Sequence, residues 1–315
     1  MSLVFSRRRI LQLLASAPPA LWMSRPWASA LPTAPSRIVP LSWELTETLL
    51  ALGHAPVAMP LPDWYSKTIV EPALPEGVLD IGLLYQPSFE VLQQLAPDLL
   101  ILTPGHAELQ PLLARVAPTV TLGAYMGAAQ PYPALLEDTR QMANVLDCPA
   151  RAQALIADTE QLFGAVRQRL AAQPGVATAP TFVADAVDEH HLRVYGNGSL
   201  FDAVLQKIGV NNATHPIGAM SESWVTNSAG FALVPLQRIA RVPQANLLLV
   251  GPVAPSVQAA LRLSPVWQAM PCVRERRVAL LPVIAPYGGL FSMQRFARTV
   301  ETALLQTAQR ESGIV

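Results

Sequence analysis

From Pro149 to Ala172 the chain reads PARAQALIADTEQLFGAVRQRLAA, with no proline after the first position and one glycine, Gly164. Leu155, Leu162, Val166 and Leu170 recur at helical spacing, and Arg151, Asp158, Glu160, Arg167 and Arg169 supply polar faces. Gln173-Pro174-Gly175 ends the pattern. This spacing predicts the longest helix of the chain, about 22 residues and roughly 33 Å at 1.5 Å per residue.

On both sides of this helix the texture is different. Before it, short apolar runs at 37–41, 55–59, 78–82 and 97–102 alternate with short amphipathic pieces at 44–53 and 88–95, the latter with Ser88 as N-cap. After it the alternation restarts, with strands expected at 181–184, 192–195, 246–250 and 278–281 and a helix at 199–208. Strands alternating with helices at this spacing argue for βα units and mostly parallel sheets. The fold expected is α/β: two Rossmann-like lobes, 31–147 and 174–315, joined by a single long helix over 148–173.

The chain has 315 residues, 51% hydrophobic and 14% charged, with 30 prolines and two cysteines. Its 22 basic residues balance 22 acidic ones, but Arg7, Arg8, Arg9 and Arg25 all lie in the first 30 residues. The remainder is mildly acidic and has no basic run, which argues against a nucleic-acid partner. After the N-terminus no apolar stretch reaches the roughly 18 residues a membrane span needs. Paired arginines before a modest apolar run, then Ala28-Ser29-Ala30, read as a twin-arginine export signal cleaved after Ala30. A soluble periplasmic protein is expected. Cys148 and Cys272 are far apart in sequence and are not expected to pair.

Several stretches then carry a resemblance. They are Trp43 with Glu47 and Leu50-Ala51-Leu52-Gly53, Pro75 with Val78-Leu79-Asp80-Ile81-Gly82-Leu83, and Ala114-Arg115-Val116-Ala117-Pro118. In the second half they are Tyr195-Gly196-Asn197-Gly198-Ser199-Leu200-Phe201, Val266-Trp267-Gln268-Ala269-Met270-Pro271 with Val273-Arg274, and Tyr287-Gly288. In this order and spacing the chain resembles the periplasmic ferric hydroxamate-siderophore-binding proteins, helix-linked (class III) two-lobed substrate-binding proteins of ABC importers. The resemblance implies a protein that is not an enzyme. It would act as a monomer, bind an intact ferric siderophore between its lobes and pass it to an inner-membrane permease with a cytoplasmic ATPase.

The departures fall at the ligand. Where the family carries a ligand-binding arginine this chain has Leu84, and where it carries a tyrosine it has His106; a tryptophan of the Pro-rich segment is Thr68. Tyr287 matches the second-lobe tyrosine, and Trp224 resembles that lobe's pocket tryptophan. A siderophore supplies all of the iron's ligands, so the protein needs hydrogen-bond donors and aromatic surface rather than a metal-binding cluster or a cofactor. Candidate ligand-binding residues are therefore Trp43, Trp64, Leu84, Tyr85, His106, Tyr195, Trp224 and Tyr287. By residue type each aromatic suits a core as well as a cleft. The resemblance also places a permease-docking acid at Glu108; its second-lobe counterpart is Gln237, with Glu222 as a substitute.

Other readings carry less. His190-His191 beside Asp188 and Glu189 suggests a metal, but adjacent strand residues point to opposite faces. No G-x-S-x-G or H-E-x-x-H motif supports a hydrolase. A catecholate or carboxylate siderophore, haem or a corrinoid is the alternative ligand.

Overall fold

The structure, a computed structural model, describes residues 34–309 apart from 174, 177 and 216–223. The export signal and Glu222 lie outside the described residues.

The first lobe is built on three parallel strands in the order Ile38–Pro40, Leu99–Leu102, Thr119–Thr121. Leu99–Leu102 is the central strand, and all four of its residues are buried. That is why it reads as an unbroken apolar run. Its side chains alternate between two cores: Leu99 and Ile101 join Ile38, Leu45 and Leu49, whereas Leu100 and Leu102 join Val39, Leu41 and Leu113. The second lobe has five strands in the order Phe231–Pro235, His191–Tyr195, Thr181–Ala186, Asn246–Gly251, Val278–Val283. The last three are parallel to one another, and His191–Tyr195 is antiparallel to both of its neighbours. The Asp188 carboxylate accepts from the backbone N–H groups of His190 and His191, both at 2.7 Å, which closes the turn before His191–Tyr195. The histidine pair is thus turn chemistry. Among the described residues no three His, Cys, Asp or Glu side chains converge on a metal site.

The connecting helix spans Pro149–Ala171. Ala152 packs into the first lobe's core, whereas Leu155, Phe163, Val166 and Leu170 pack into a core that is mostly the second lobe's and also takes in Tyr125, Tyr132 and Leu135 of the first. Arg151 Nη1 donates to the Leu52 carbonyl at 2.9 Å, tying the helix start to the first helix, Trp43–Ala51. Gly53 adopts φ +83°, and a Cβ there would lie 1.6 Å from Arg151 Nη1, so this turn calls for glycine. Cys148 and Cys272 are free.

A second long helix, Leu290–Ala308, lies against the connecting helix, where Gln294 Nε2 donates to Thr159 Oγ1 at 2.8 Å. The sequence reading did not anticipate it, because Ser292, Gln294 and Thr307 are buried within its inner face and break the apolar stripe. Its start meets the first lobe. Glu47 Oε1 accepts from the Ser292 N–H at 2.7 Å, and Oε2 from the Ser292 hydroxyl at 2.7 Å. Burial pushes the Glu47 carboxyl up to about 7 against the opposing donors of Ser292 and Gly289. A Cβ on Gly288 would lie 2.9 Å from Glu47 Oε2, so the two glycines of 288–289 let the helices approach. The Tyr125 hydroxyl donates to the Tyr287 carbonyl at 2.8 Å, and Arg295 Nη1 donates to the Ile69 carbonyl at 2.8 Å. Three fixed contacts therefore add to the connecting helix in joining the lobes.

Candidate functional site

Parallel strands end where their crossovers diverge, and open α/β sheets take ligands at those C-terminal ends. A cavity of about 280 Å³ lies there. Its first-lobe wall is Leu41, Ser42 and Glu44 after Ile38–Pro40, Leu84 and Tyr85, and Thr103, His106 and Met126; Ala229 and Tyr287 supply the second-lobe wall. A larger cavity of about 600 Å³ lies on another flank, among helices Pro131–Val145, Pro149–Ala171 and Leu200–Lys207. Asn197, Gly198 and Ser199, just past the end of His191–Tyr195, also line it, but of the candidate residues none does.

Leu84 and Tyr85 form the tip of a hairpin between the short strands Gly82–Leu83 and Gln86–Pro87. Strand alternation would set them on opposite faces; a two-residue tip lets both line the cavity. Tyr85 is 58% exposed, its ring 5.0 Å from that of His106. No hydrogen bond engages its hydroxyl among the described residues. Tyr287 lines the same cavity from the second lobe, half-buried, its hydroxyl donating to the Ala229 carbonyl at 3.5 Å. Burial raises the Tyr287 phenol, opposed by the Arg193 charge. Two phenol groups from opposite lobes thus share one cavity.

The structure places the remaining five ligand-binding candidates as follows. His106 is 1% exposed: Nδ1 accepts from the Thr103 N–H at 3.1 Å, so Nε2 carries the proton and donates to the Leu84 carbonyl at 2.8 Å. One ring nitrogen is taken by Thr103 and the other holds the hairpin tip, leaving none for a ligand. Tyr195 is fully buried, its ring against Phe201 and its hydroxyl donating to Asp185 at 2.7 Å. Trp224 lies on the sheet face turned away from the connecting helix, against Phe182 at 5.1 Å, with the Arg238 guanidinium over its ring at 4.7 Å. Trp43 packs with Met59, Tyr65 and Ile69, and its indole N–H donates to the Pro60 carbonyl at 2.9 Å. Trp64 is 56% exposed on the helix Pro62–Thr68, under Lys67, and does not line the cavity. Glu108 and Gln237 are both exposed.

Sequence reasoning missed Glu44. The Ser42 hydroxyl, which also caps the first helix, donates to Glu44 Oε2 at 2.6 Å. Burial raises the Glu44 carboxyl, which the Ser42 hydrogen bond opposes. An acid in a helix's first turn is ordinary capping chemistry, so the sequence carried no sign of a cavity role.

The sequence profile of the periplasmic binding protein family matches residues 38–285. The chain belongs to the periplasmic binding protein family. This periplasmic binding protein is 29% identical over 303 residues to the iron(3+)-hydroxamate-binding protein FhuD of Escherichia coli K12, covering 96% of this chain and 97% of that one. It is 30% identical over 208 residues, 65% of each chain, to the achromobactin-binding periplasmic protein of Dickeya dadantii. Among solved structures, the siderophore-binding protein FhuD of Vibrio cholerae with Fe3+-Desferal superposes with a TM-score of 0.75 at 25% identity, covering 86% of this chain and 98% of that one. All three are binding proteins, not enzymes.

Proposed function

We propose that this periplasmic binding protein captures an intact ferric siderophore of the hydroxamate type in its interlobe cavity and delivers it to an ABC permease. What carries the reading is that Tyr85 and Tyr287, one from each lobe, line one cavity, in a chain similar over nearly its whole length to an iron(3+)-hydroxamate-binding protein. Hydroxamate oxygens are partly negative acceptors, and phenol hydroxyls with aromatic faces suit both the oxygens and the organic shell. The cavity, at about 280 Å³, is at the low end of ordinary ligand sites, so the siderophore seats one end in it and leaves the rest outside. Isothermal titration of the ferric complex of desferrioxamine B into the exported form is expected to show one site. Heat with haem or cobalamin, and none with any ferric siderophore, would overturn the reading.

Leu84 occupies the position of the family's arginine and lines the cavity. Leu84→Arg is expected to strengthen binding of an electrically neutral ferric hydroxamate by about 1–2 kcal/mol, the worth of one charge-assisted hydrogen bond. Unchanged affinity in the titration would place the ligand elsewhere.

The paired arginines Arg7-Arg8 and the Ala28-Ser29-Ala30 site support export to the periplasm with cleavage after Ala30. Docking as a monomer on the permease, which its cytoplasmic ATPase drives, rests on exposed Glu108, with Gln237 as the uncharged second-lobe contact. Interface charges mainly steer encounter, so Glu108→Gln is expected to slow association with the permease and flatten its salt dependence, with ligand affinity unchanged. Stopped-flow association with the reconstituted transporter measures both; an unaltered rate excludes Glu108.

A further inference from the structure

The charges around the cavity are one-sided. Among the described residues Glu44 is the only acid lining it, and no lysine or arginine lines it. Arg193 is the cation near Tyr287, but it is already matched: Nη1 lies 3.2 Å from Asp185 Oδ2 and the guanidinium sits 5.0 Å over the Phe231 ring. Glu44 has the Ser42 hydroxyl and its own backbone N–H as hydrogen-bond donors and, among the described residues, no ion pair. A half-buried carboxylate in a cavity wall gains from a cation and repels an anion, because charges interact more strongly away from bulk water.

The charge of a ferric chelate follows from its chemistry. Three hydroxamates each carry one negative charge and cancel the iron's three positive charges, so the core is neutral. Three catecholates leave a net charge of −3. A hydroxamate siderophore with a free amine is cationic. We infer that Glu44 selects ferric hydroxamates bearing an ammonium group, pairing with that ammonium while Tyr85 and Tyr287 hold the neutral iron core, and that it disfavours anionic chelates. This rests on the ferric-siderophore reading above and adds the charge of the preferred ligand. Burial raises the proton affinity of Glu44, and an ammonium docked beside it reverses that effect.

Three ferric complexes separate charge from size: desferrioxamine B with its free ammonium, its N-acetyl derivative, which is neutral, and its N,N-dimethyl derivative, which is larger but still cationic. Titrated into the wild type, the two cationic complexes are expected to bind about tenfold tighter than the acetylated one, a difference typical of adding charge to a hydrogen bond. Glu44→Gln is expected to bring all three to similar affinity, with an unchanged melting temperature showing that the fold is kept. Equal affinities in the wild type, or a preference that survives Glu44→Gln, overturn the inference while leaving the siderophore assignment standing. If none of the three complexes binds, the siderophore assignment itself fails and the role of Glu44 falls with it.

Discussion

Glu47→Ala is expected to lower stability at pH 5 by about 2–4 kcal/mol, because the buried N–H and hydroxyl of Ser292 lose their acceptor. The pH dependence follows from the same carboxyl. Its folded value, about 7, lies above the ordinary value of 4.5, so between these values the folded protein holds more protons than the unfolded chain. The contribution is therefore fully present below pH 4.5 and is lost as pH rises through 7, a change of about 3 kcal/mol at 1.36 kcal/mol per pH unit. Glutamine keeps an acceptor for the Ser292 N–H and carries no charge. Glu47→Gln is thus expected to match the wild type at pH 5 and to exceed it by about 3 kcal/mol at pH 8. Urea unfolding at the two pH values measures this, and a Gln variant with the wild-type pH slope would show that the slope does not come from Glu47. With the Glu47–Ser292 contact intact, small-angle scattering is expected to show little compaction on ligand binding, since both a continuous helix and fixed contacts resist hinge motion.

Gly230→Ala is expected to cost about 3–5 kcal/mol, in the range reserved for backbone conflict. Gly230 adopts φ +76°, and a Cβ would lie 2.3 Å from the Ser199 nitrogen and 2.4 Å from the Gly198 carbonyl carbon. Both are backbone atoms, so neither can swing aside. The segment would have to back away from the Gly196–Ser199 turn, breaking the Gly196 N–H bond to the Gly230 carbonyl. Neighbouring Ala229 would move with it and open the second-lobe wall of the cavity. Ligand affinity should therefore fall along with stability, which denaturant titration and calorimetry read separately. A cost below about 1 kcal/mol would mean that the turn is free to relax.

The fold was legible wherever a local pattern decided it. The connecting helix follows from an uninterrupted 3.6 period bounded by Pro149 and Pro174, and the central strands from short buried runs such as Leu99–Leu102. The site was less legible because its geometry is made by distant partners. Glu47 stood in a recognisable motif, but its acceptor role needs Ser292, 245 residues away. The resemblance sets His106 where relatives carry a ligand-binding tyrosine, yet its burial depends on the Leu84 carbonyl reached across a hairpin that the sequence showed only as a strand. Tyr195 and Trp224 are aromatic residues whose packing partners, Phe201 and Phe182, were equally available to core and cleft in the sequence.

The claim that a ferric hydroxamate binds at the strand ends is tested most directly by titrating ferric desferrioxamine B into three proteins: the wild type, Tyr287→Ala and Tyr132→Ala. Tyr287 lines the cavity between the lobes, and Tyr132 lines the larger one among the helices. One site is expected in the wild type, with affinity weakened at least tenfold by Tyr287→Ala and unchanged by Tyr132→Ala. The reverse pattern, loss with Tyr132→Ala and none with Tyr287→Ala, would move the ligand out of the cleft and contradict the assignment.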